Sequence, residues 1–153
     1  MSDEITMTIS IPTDDEGYVL LKCPKCGTYF KVTPADLQDD RLLDLFCPCC
    51  GLTSENYITD DVLELALAMA KNQAMDLIHK EFKKLEMQTR NQLINIKAGN
   101  PPKHEHENPI RSGIEAMEVA SFPCCKRTAK IKPLLKMTGC YCPFCGVKNY
   151  ENE

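Results

Sequence analysis

Two short fragments constrain this chain more than anything else in it: Cys23-Pro-Lys-Cys26-Gly27 and Cys47-Pro-Cys-Cys50-Gly51, with 20 residues between Cys26 and Cys47. A Cys-x-x-Cys turn lets two thiolates converge on one ion while backbone N–H groups point at the sulfurs. The glycine after the second cysteine gives the knuckle the permissive backbone that it needs. Two such turns deliver four sulfurs, which at about 2.3 Å from a common centre complete the tetrahedron that zinc prefers. No coordination position stays open for a reactive water, so a metal held this way is expected to hold the fold together rather than to hydrolyse anything.

The cysteines fall in two clusters, with none between Gly51 and Pro123. Each cysteine-bearing segment is about as large as a domain that cannot bury enough apolar surface unaided, the situation in which a metal substitutes for core. Ten cysteines could also be read as a disulfide framework, but the N-terminal Met-Ser-Asp-Glu-Ile-Thr is no apolar signal segment, and no apolar run is long enough for a bilayer. A reducing, cytoplasmic setting without membrane contact is the expectation. The resulting fold class is α+β: two small β-rich zinc domains joined by a long α-helix, with two zinc ions per chain.

The second cluster is irregular. Cys142-Pro-Phe-Cys145-Gly146 repeats the knuckle, whereas Phe122-Pro-Cys124-Cys125-Lys-Arg127 places two cysteines side by side where a Cys-x-x-Cys is expected. Adjacent side chains of an extended strand point to opposite faces, so both sulfurs reach one ion only if the backbone turns sharply, and Pro123 allows a turn. The competing assignment joins one of this pair with Cys140. Either way, 16 residues separate Cys125 from Cys142. Cys49 is left without an assigned role.

Along the chain, Ile5-Thr-Met7-Thr-Ile9-Ser-Ile11 alternates apolar and polar residues and predicts a half-buried strand ended by Pro12, paired across a turn at Thr13–Gly17 with Tyr18–Leu21. Tyr29–Val32 reads as a further strand, and Thr33-Pro34 as an N-cap with proline at the first helical position. From Thr59 to Ile96 the pattern is helical, with Leu63, Leu67, Ala70, Ala74 and Leu77 on one stripe continued by Ile78, Phe82 and Leu85. A continuous helix of that span is roughly 55 Å long, more than either small domain can cover, so its stripe is expected to meet a second copy or another protein. The alternative is a hairpin of two helices broken near Asn72 or Gln88. Ala98-Gly-Asn-Pro-Pro opens a polar linker in which His104 and His106 read as solvated. The domain boundaries are therefore 1–58, 59–97, 98–109 and 110–153.

The paired knuckles resemble the zinc ribbon superfamily, and the opening hairpin, first ribbon and following helix look like small bacterial transcription-factor-type zinc ribbon proteins, over roughly two thirds of the chain. The resemblance implies ribbon folds and zinc at Cys23, Cys26, Cys47 and Cys50, and at Cys142 and Cys145. It implies no activity, since ribbons serve polymerases, ribosomes, nucleases and adaptors alike.

Net charge is −4, but its distribution is uneven. From Val119 to Tyr150 there is no acid, while Lys126, Arg127, Lys130, Lys132, Lys136 and Lys148 are basic. The first 20 residues carry Asp3, Glu4, Asp14, Asp15 and Glu16 and no base. Such a basic module is expected to contact nucleic-acid phosphates, with Phe122, Tyr141, Phe144 or Tyr150 free to stack on bases. The same charges could instead meet an acidic protein surface or this chain's own acidic segment. An adaptor without nucleic-acid binding is the second expectation, and a thiol redox protein a distant third. Classical catalysis finds little support. The only histidines are His79, His104 and His106, and no nucleophile motif or phosphate-binding glycine loop is present.

Overall fold

The computed structural model describes residues 5–110 and 116–150; Asp3, Glu4 and residues 111–115 of the expected C-terminal domain lie outside the described residues. The chain forms two compact units, one of residues 11–60 with 110–153 and the other of residues up to 10 with 61–109.

In the first unit β1 (Val19–Lys22) pairs antiparallel with β2 (Tyr29–Val32), followed by the single helical turn α1 (Pro34–Leu37). Thr33 caps that turn, its Oγ1 accepting from the Asp36 N–H at 3.3 Å with Pro34 at the first helical position. After the long helix α2 (Asp60–Thr89), which belongs to the second unit apart from its first residue, come β3 (Glu118–Phe122), β4 (Arg127–Ile131), α3 (Pro133–Thr138), β5 (Cys140–Tyr141) and β6 (Lys148–Asn149). The fold class is α+β with two cysteine clusters. Where the sequence is read as two separate ribbons, strands of both share a four-stranded sheet in the order β1-β2-β4-β3, joined at Lys31↔Lys130. Two hairpins each leave an open edge. Pairing β2 with β4 satisfies those backbone groups and merges two cores, each too small alone, into one. Phe30, Val32, Phe122 and Ile131 are fully buried in that shared core. Tyr57 meets Phe30 edge-on at 5.6 Å and Phe144 meets Phe122 at 6.3 Å.

The sheet is a palindrome. Lys22 pairs with Tyr29 and Cys23 N–H bonds Thr28 O, while Phe122 pairs with Arg127, so the two hairpin loops, 24–27 and 123–126, have equal length. Position by position this places Cys26 with Cys125, Gly27 with Lys126, Lys31 with Lys130 and Pro34 with Pro133. The later knuckles complete the pattern reciprocally. Phe46 N–H bonds Pro143 O at 2.8 Å and Tyr141 N–H bonds Pro48 O at 2.9 Å. A Cβ on Gly51 would lie 2.8 Å from the Tyr141 ring, and one on Gly146 2.8 Å from the Phe46 ring. The unit is an internal duplication with approximate two-fold symmetry, and residues 61–109 of the helical unit fall between its halves in sequence.

Ile5–Ile11 is not a strand: Ile5, Met7 and Ile11 are exposed, and residues up to Ser10 belong to the helical unit. Alternation specifies a strand only where a partner edge exists, and β1 takes the nearer partner β2, across a short knuckle that costs little loop entropy.

Helix α2 runs unbroken through Asn72, so the helical hairpin does not form, but it stops at Thr89 rather than continuing to Ile96. Its 30 residues span about 45 Å. The following segment returns along the helix instead of floating as a linker. Ala98 N–H bonds Glu86 Oε2, His104 Nε2 bonds Asp76 Oδ1 at 2.7 Å, and Lys71 pairs with Glu105. The buried Asn72 amide clamps the backbone of Glu105 from both sides, its Nδ2 donating to Glu105 O and its Oδ1 accepting from Glu105 N–H.

Candidate metal centres

Each centre takes its four sulfurs from two knuckles that the sheet and the reciprocal loops bring to one end. Cys23, Cys26, Cys47 and Cys50 form one group, and Cys124, Cys125, Cys142 and Cys145 the other, with all ligand atoms of a group within 4.8 Å of one another. Sulfur separations of 3.8 Å for Cys23–Cys50 and 3.5 Å for Cys26–Cys47 and for Cys124–Cys145 fit the edge of a tetrahedron with metal–sulfur bonds of about 2.3 Å. Each tetrad could hold a metal ion, consistent with zinc-binding ribbons, and the two together fit two ions per chain.

The electrostatics call for a cation. Burial pushes the Cys47 and Cys142 thiols up, although backbone amides of Cys50 and Cys49, and of Phe144 and Cys145, donate to them. Burial likewise raises Cys125 to about 11. Burial also opposes ionisation of Cys26, yet the Thr28 hydroxyl and amide outweigh it and bring that thiol down to about 6. Amides thus stand ready for thiolates that burial disfavours, and a divalent ion supplies the charge that lets all four sulfurs deprotonate together.

The Cys124-Cys125 pair joins one tetrad because the backbone turns as the sequence requires. Cys125 N–H bonds Phe122 O at 3.2 Å, and Lys126 adopts φ 54° where the first repeat has Gly27 at 75°. Cys140 lies buried in the shared core, outside the tetrad, and Cys49 is exposed.

The basic residues do not form one free patch. Arg127 donates to Asp36 Oδ1 at 2.7 Å and Asp39 Oδ2 at 2.6 Å, and its guanidinium lies over Phe144. Lys130, with Lys31, pairs with Asp14 and also reaches Glu16 at 3.3 Å. The acidic segment of the first half therefore neutralises the basic strand of the second. Lys136 donates to Val119 O and lies 3.8 Å from Glu118, Lys132 precedes the Pro133 turn, and Lys126 stands exposed at a loop tip. Lys148 sits over the rings of Tyr141 and Tyr150. Of the aromatic residues, Phe122 and Phe144 are core, Tyr141 packs on Gly51, and Tyr150 is exposed. The sequence alternative in which the basic segment meets this chain's own acidic segment is the one seen at Lys130 with Asp14 and Glu16. That both converge on one sheet was signalled by the equal spacing of Lys31 and Lys130 from Cys26 and Cys125.

No protein-family model matches the chain, and neither a curated protein nor a solved structure is significantly similar to it. Among the described residues no helix is long and apolar enough to cross a membrane.

Proposed function

We propose that this is a non-enzymatic adaptor protein in which two zinc ions stabilise the duplicated ribbon and helix α2 pairs with α2 of a second copy. A reducing, cytoplasmic setting would keep its ten free cysteines available as ligands. The observation that carries the reading is the uncovered row on α2: Leu63, Leu67, Leu77, Ile78 and Leu85 are all exposed. Leu63, Leu77 and Leu85 lie on the face away from Asn72, while Leu67 borders Glu105 and His106, and Ile78 borders Asn100 and Pro102, of the returning segment. A row of that length is uncommon on a monomer.

The row is suited to itself. Its order, Leu63, Leu67, Ala70, Ala74, Leu77, places two small residues between larger ones. An antiparallel copy centred near Asn72 then sets Leu67 against the partner's Leu77 with Ala70 against its Ala74, an isologous contact. Glu64 near one end and Lys80 toward the other leave the antiparallel pair with opposite charge at facing ends. Of the cations expected to meet phosphate, Arg127, Lys130 and Lys136 are engaged internally, which favours the adaptor over a nucleic-acid binder. Lys126, Lys148 and exposed Tyr150 support a weaker, secondary contact with single-stranded nucleic acid.

Sedimentation equilibrium tests the pairing. The zinc-loaded full chain is expected to be a dimer at micromolar concentration, and Leu67→Glu with Leu77→Glu a folded monomer. A wild-type monomer at 100-fold higher concentration would sink the proposal. Anisotropy titrations across a salt series decide the secondary reading: a steep fall of affinity with salt supports phosphate contacts, and no binding at low salt removes it.

A further inference from the structure

The two centres occupy equivalent positions but are not built from equivalent residues. Position 23 of the first repeat is a ligand, fully buried at the strand end where its N–H closes the hairpin on Thr28. The equivalent position of the second repeat is Phe122, a core ring packed against Phe144. The displaced ligand reappears two residues later as Cys124, at the place held in the first repeat by Lys25 at the loop tip.

We propose that the Cys124, Cys125, Cys142 and Cys145 centre is an exchangeable site for a thiophilic divalent cation, filled and emptied on a folded scaffold, while the Cys23, Cys26, Cys47 and Cys50 centre holds its ion permanently. This rests on both tetrads taking a metal. Three features carry it. First, access differs. The first centre has two fully buried ligands, Cys23 and Cys47, and one exposed, Cys26, whereas the second has one fully buried, Cys142, and two exposed, Cys124 and Cys145. An incoming chelator or thiol can reach those sulfurs directly. Second, anchoring differs. Cys23 is fixed in the hairpin ladder, whereas Cys124 lies within the four-residue loop and has a side-chain neighbour, Asn149 Nδ2 at 3.8 Å, on β6. Partners that orient a ligand commonly change metal affinity by 10- to 100-fold, so a loosely held thiolate weakens its site by an amount of that order.

Third, the fold around the second centre has other support. Phe122 fills the core where the first repeat spends a ligand, Arg127 ties the neighbouring strand to Asp36 and Asp39, and the Phe46 and Tyr141 backbone bonds join the two knuckle loops. Loss of the second ion leaves these in place. Loss of the first removes a cation from two sulfurs of the core, Cys23 and Cys47, where the second centre contributes one, Cys142.

The full-length protein, reconstituted to two zinc equivalents, is mixed with excess chromogenic chelator while release and far-ultraviolet dichroism are followed together. One equivalent is expected to leave at least about tenfold faster than the other, with the dichroism unchanged during the fast phase. Cys124→Ser should remain folded, hold one equivalent, and lack the fast phase. Cadmium-113 resonances supply a second readout, one of the two exchanging with added cadmium on the shorter timescale. Release of both ions at one rate, loss of secondary structure in the fast phase, or loss of both ions from Cys124→Ser would each overturn the proposal. A reconstituted chain holding fewer than two ions would instead refute the two-centre reading beneath it, and this proposal with it.

Discussion

Asp14→Asn removes one charge from the point where the two halves of the sheet are neutralised. The Asp14 side chain is largely buried, with 13% of it exposed. Its Oδ2 accepts from Lys31 at 3.1 Å and Lys130 at 2.7 Å, and its Oδ1 accepts from the amides of Tyr18 at 2.9 Å and Glu16 at 3.1 Å. Asparagine can keep the amide contacts through its oxygen, so the substitution isolates the ionic part. Breaking a buried pair from one side costs about 3–5 kcal/mol because the remaining charge stays desolvated. Lys130 keeps Glu16 at 3.3 Å and lies over the Tyr18 ring, which places the expected loss near the lower figure, about 3 kcal/mol. For a chain of this size that is a fall in melting temperature of roughly 6–12 °C.

Burial opposes the Asp14 charge, but the two lysines and the Tyr18 amide hold its carboxyl well below the usual carboxylate range. A depressed folded-state pKa contributes stability fully above about pH 5 and loses it as pH falls through the folded value. The difference between parent and variant should therefore be constant from pH 6 to 8, where the thiolate centres also stay intact. Thermal melts of zinc-loaded protein over that window measure it, and adding Lys31→Met to Asp14→Asn should recover part of the loss. A melting temperature for Asp14→Asn within about 2 °C of the parent, less than roughly 1 kcal/mol, would show that these lysines do not depend on Asp14.

Removing both ions with excess chelator should abolish the cooperative melt of the ribbon unit, since structural zinc contributes on the order of 10 kcal/mol to folding in isolated zinc peptides; dichroism of the metal-free chain checks this. Gly146→Ala should destabilise by about 1–3 kcal/mol, because φ is 77° and the new methyl would sit 2.8 Å from the Phe46 ring; Gly51→Ala should do the same against Tyr141, read in denaturant melts. Lys126→Gly should raise stability by up to about 1 kcal/mol, restoring at φ 54° the residue that the first repeat uses at that place, with metal content unchanged by mass spectrometry.

The knuckle spacing made the first four-sulfur centre legible, because a Cys-x-x-Cys turn is a local structure whose geometry depends on few residues beyond itself. The Thr33 cap with Pro34, strand Tyr29–Val32 and the start of α2 were legible for the same reason. For the second centre the spacing left Cys140 in competition with Cys124 and Cys125, and only the turn after Phe122 groups that pair with Cys142 and Cys145. What the pattern could not supply was the partner of each edge. Ile5–Ile11 alternates as regularly as any strand here, but alternation describes two faces and says nothing about whether an edge is available. The helix end was misplaced because residues 90–96 carry no breaker. The chain turns there when Thr89, Glu86, Asp76 and Asn72 bind the returning segment, contacts between residues far apart in sequence.

The duplication was the largest feature hidden in plain sequence, and its concealment has a specific cause. The eye aligns cysteines, and the second repeat moved one. Aligned on Cys26 with Cys125, the Lys-Val-Thr-Pro of residues 31–34 falls on the Lys-Ile-Lys-Pro of residues 130–133, and Gly27 falls on a lysine that adopts nearly the same positive φ. Aligned on the first cysteine of each pair, the match disappears. Once the halves are superposed, the charge segregation that suggested a nucleic-acid partner has a nearer explanation. Two equivalent lysines meet at the symmetry axis of the sheet, where like charges in a buried setting must be neutralised, and the first repeat carries Asp14 on the turn that reaches them. Asp14 and Glu16 on Lys130, with Asp36 and Asp39 on Arg127, make part of the unevenness of charge along this chain a property of its fold.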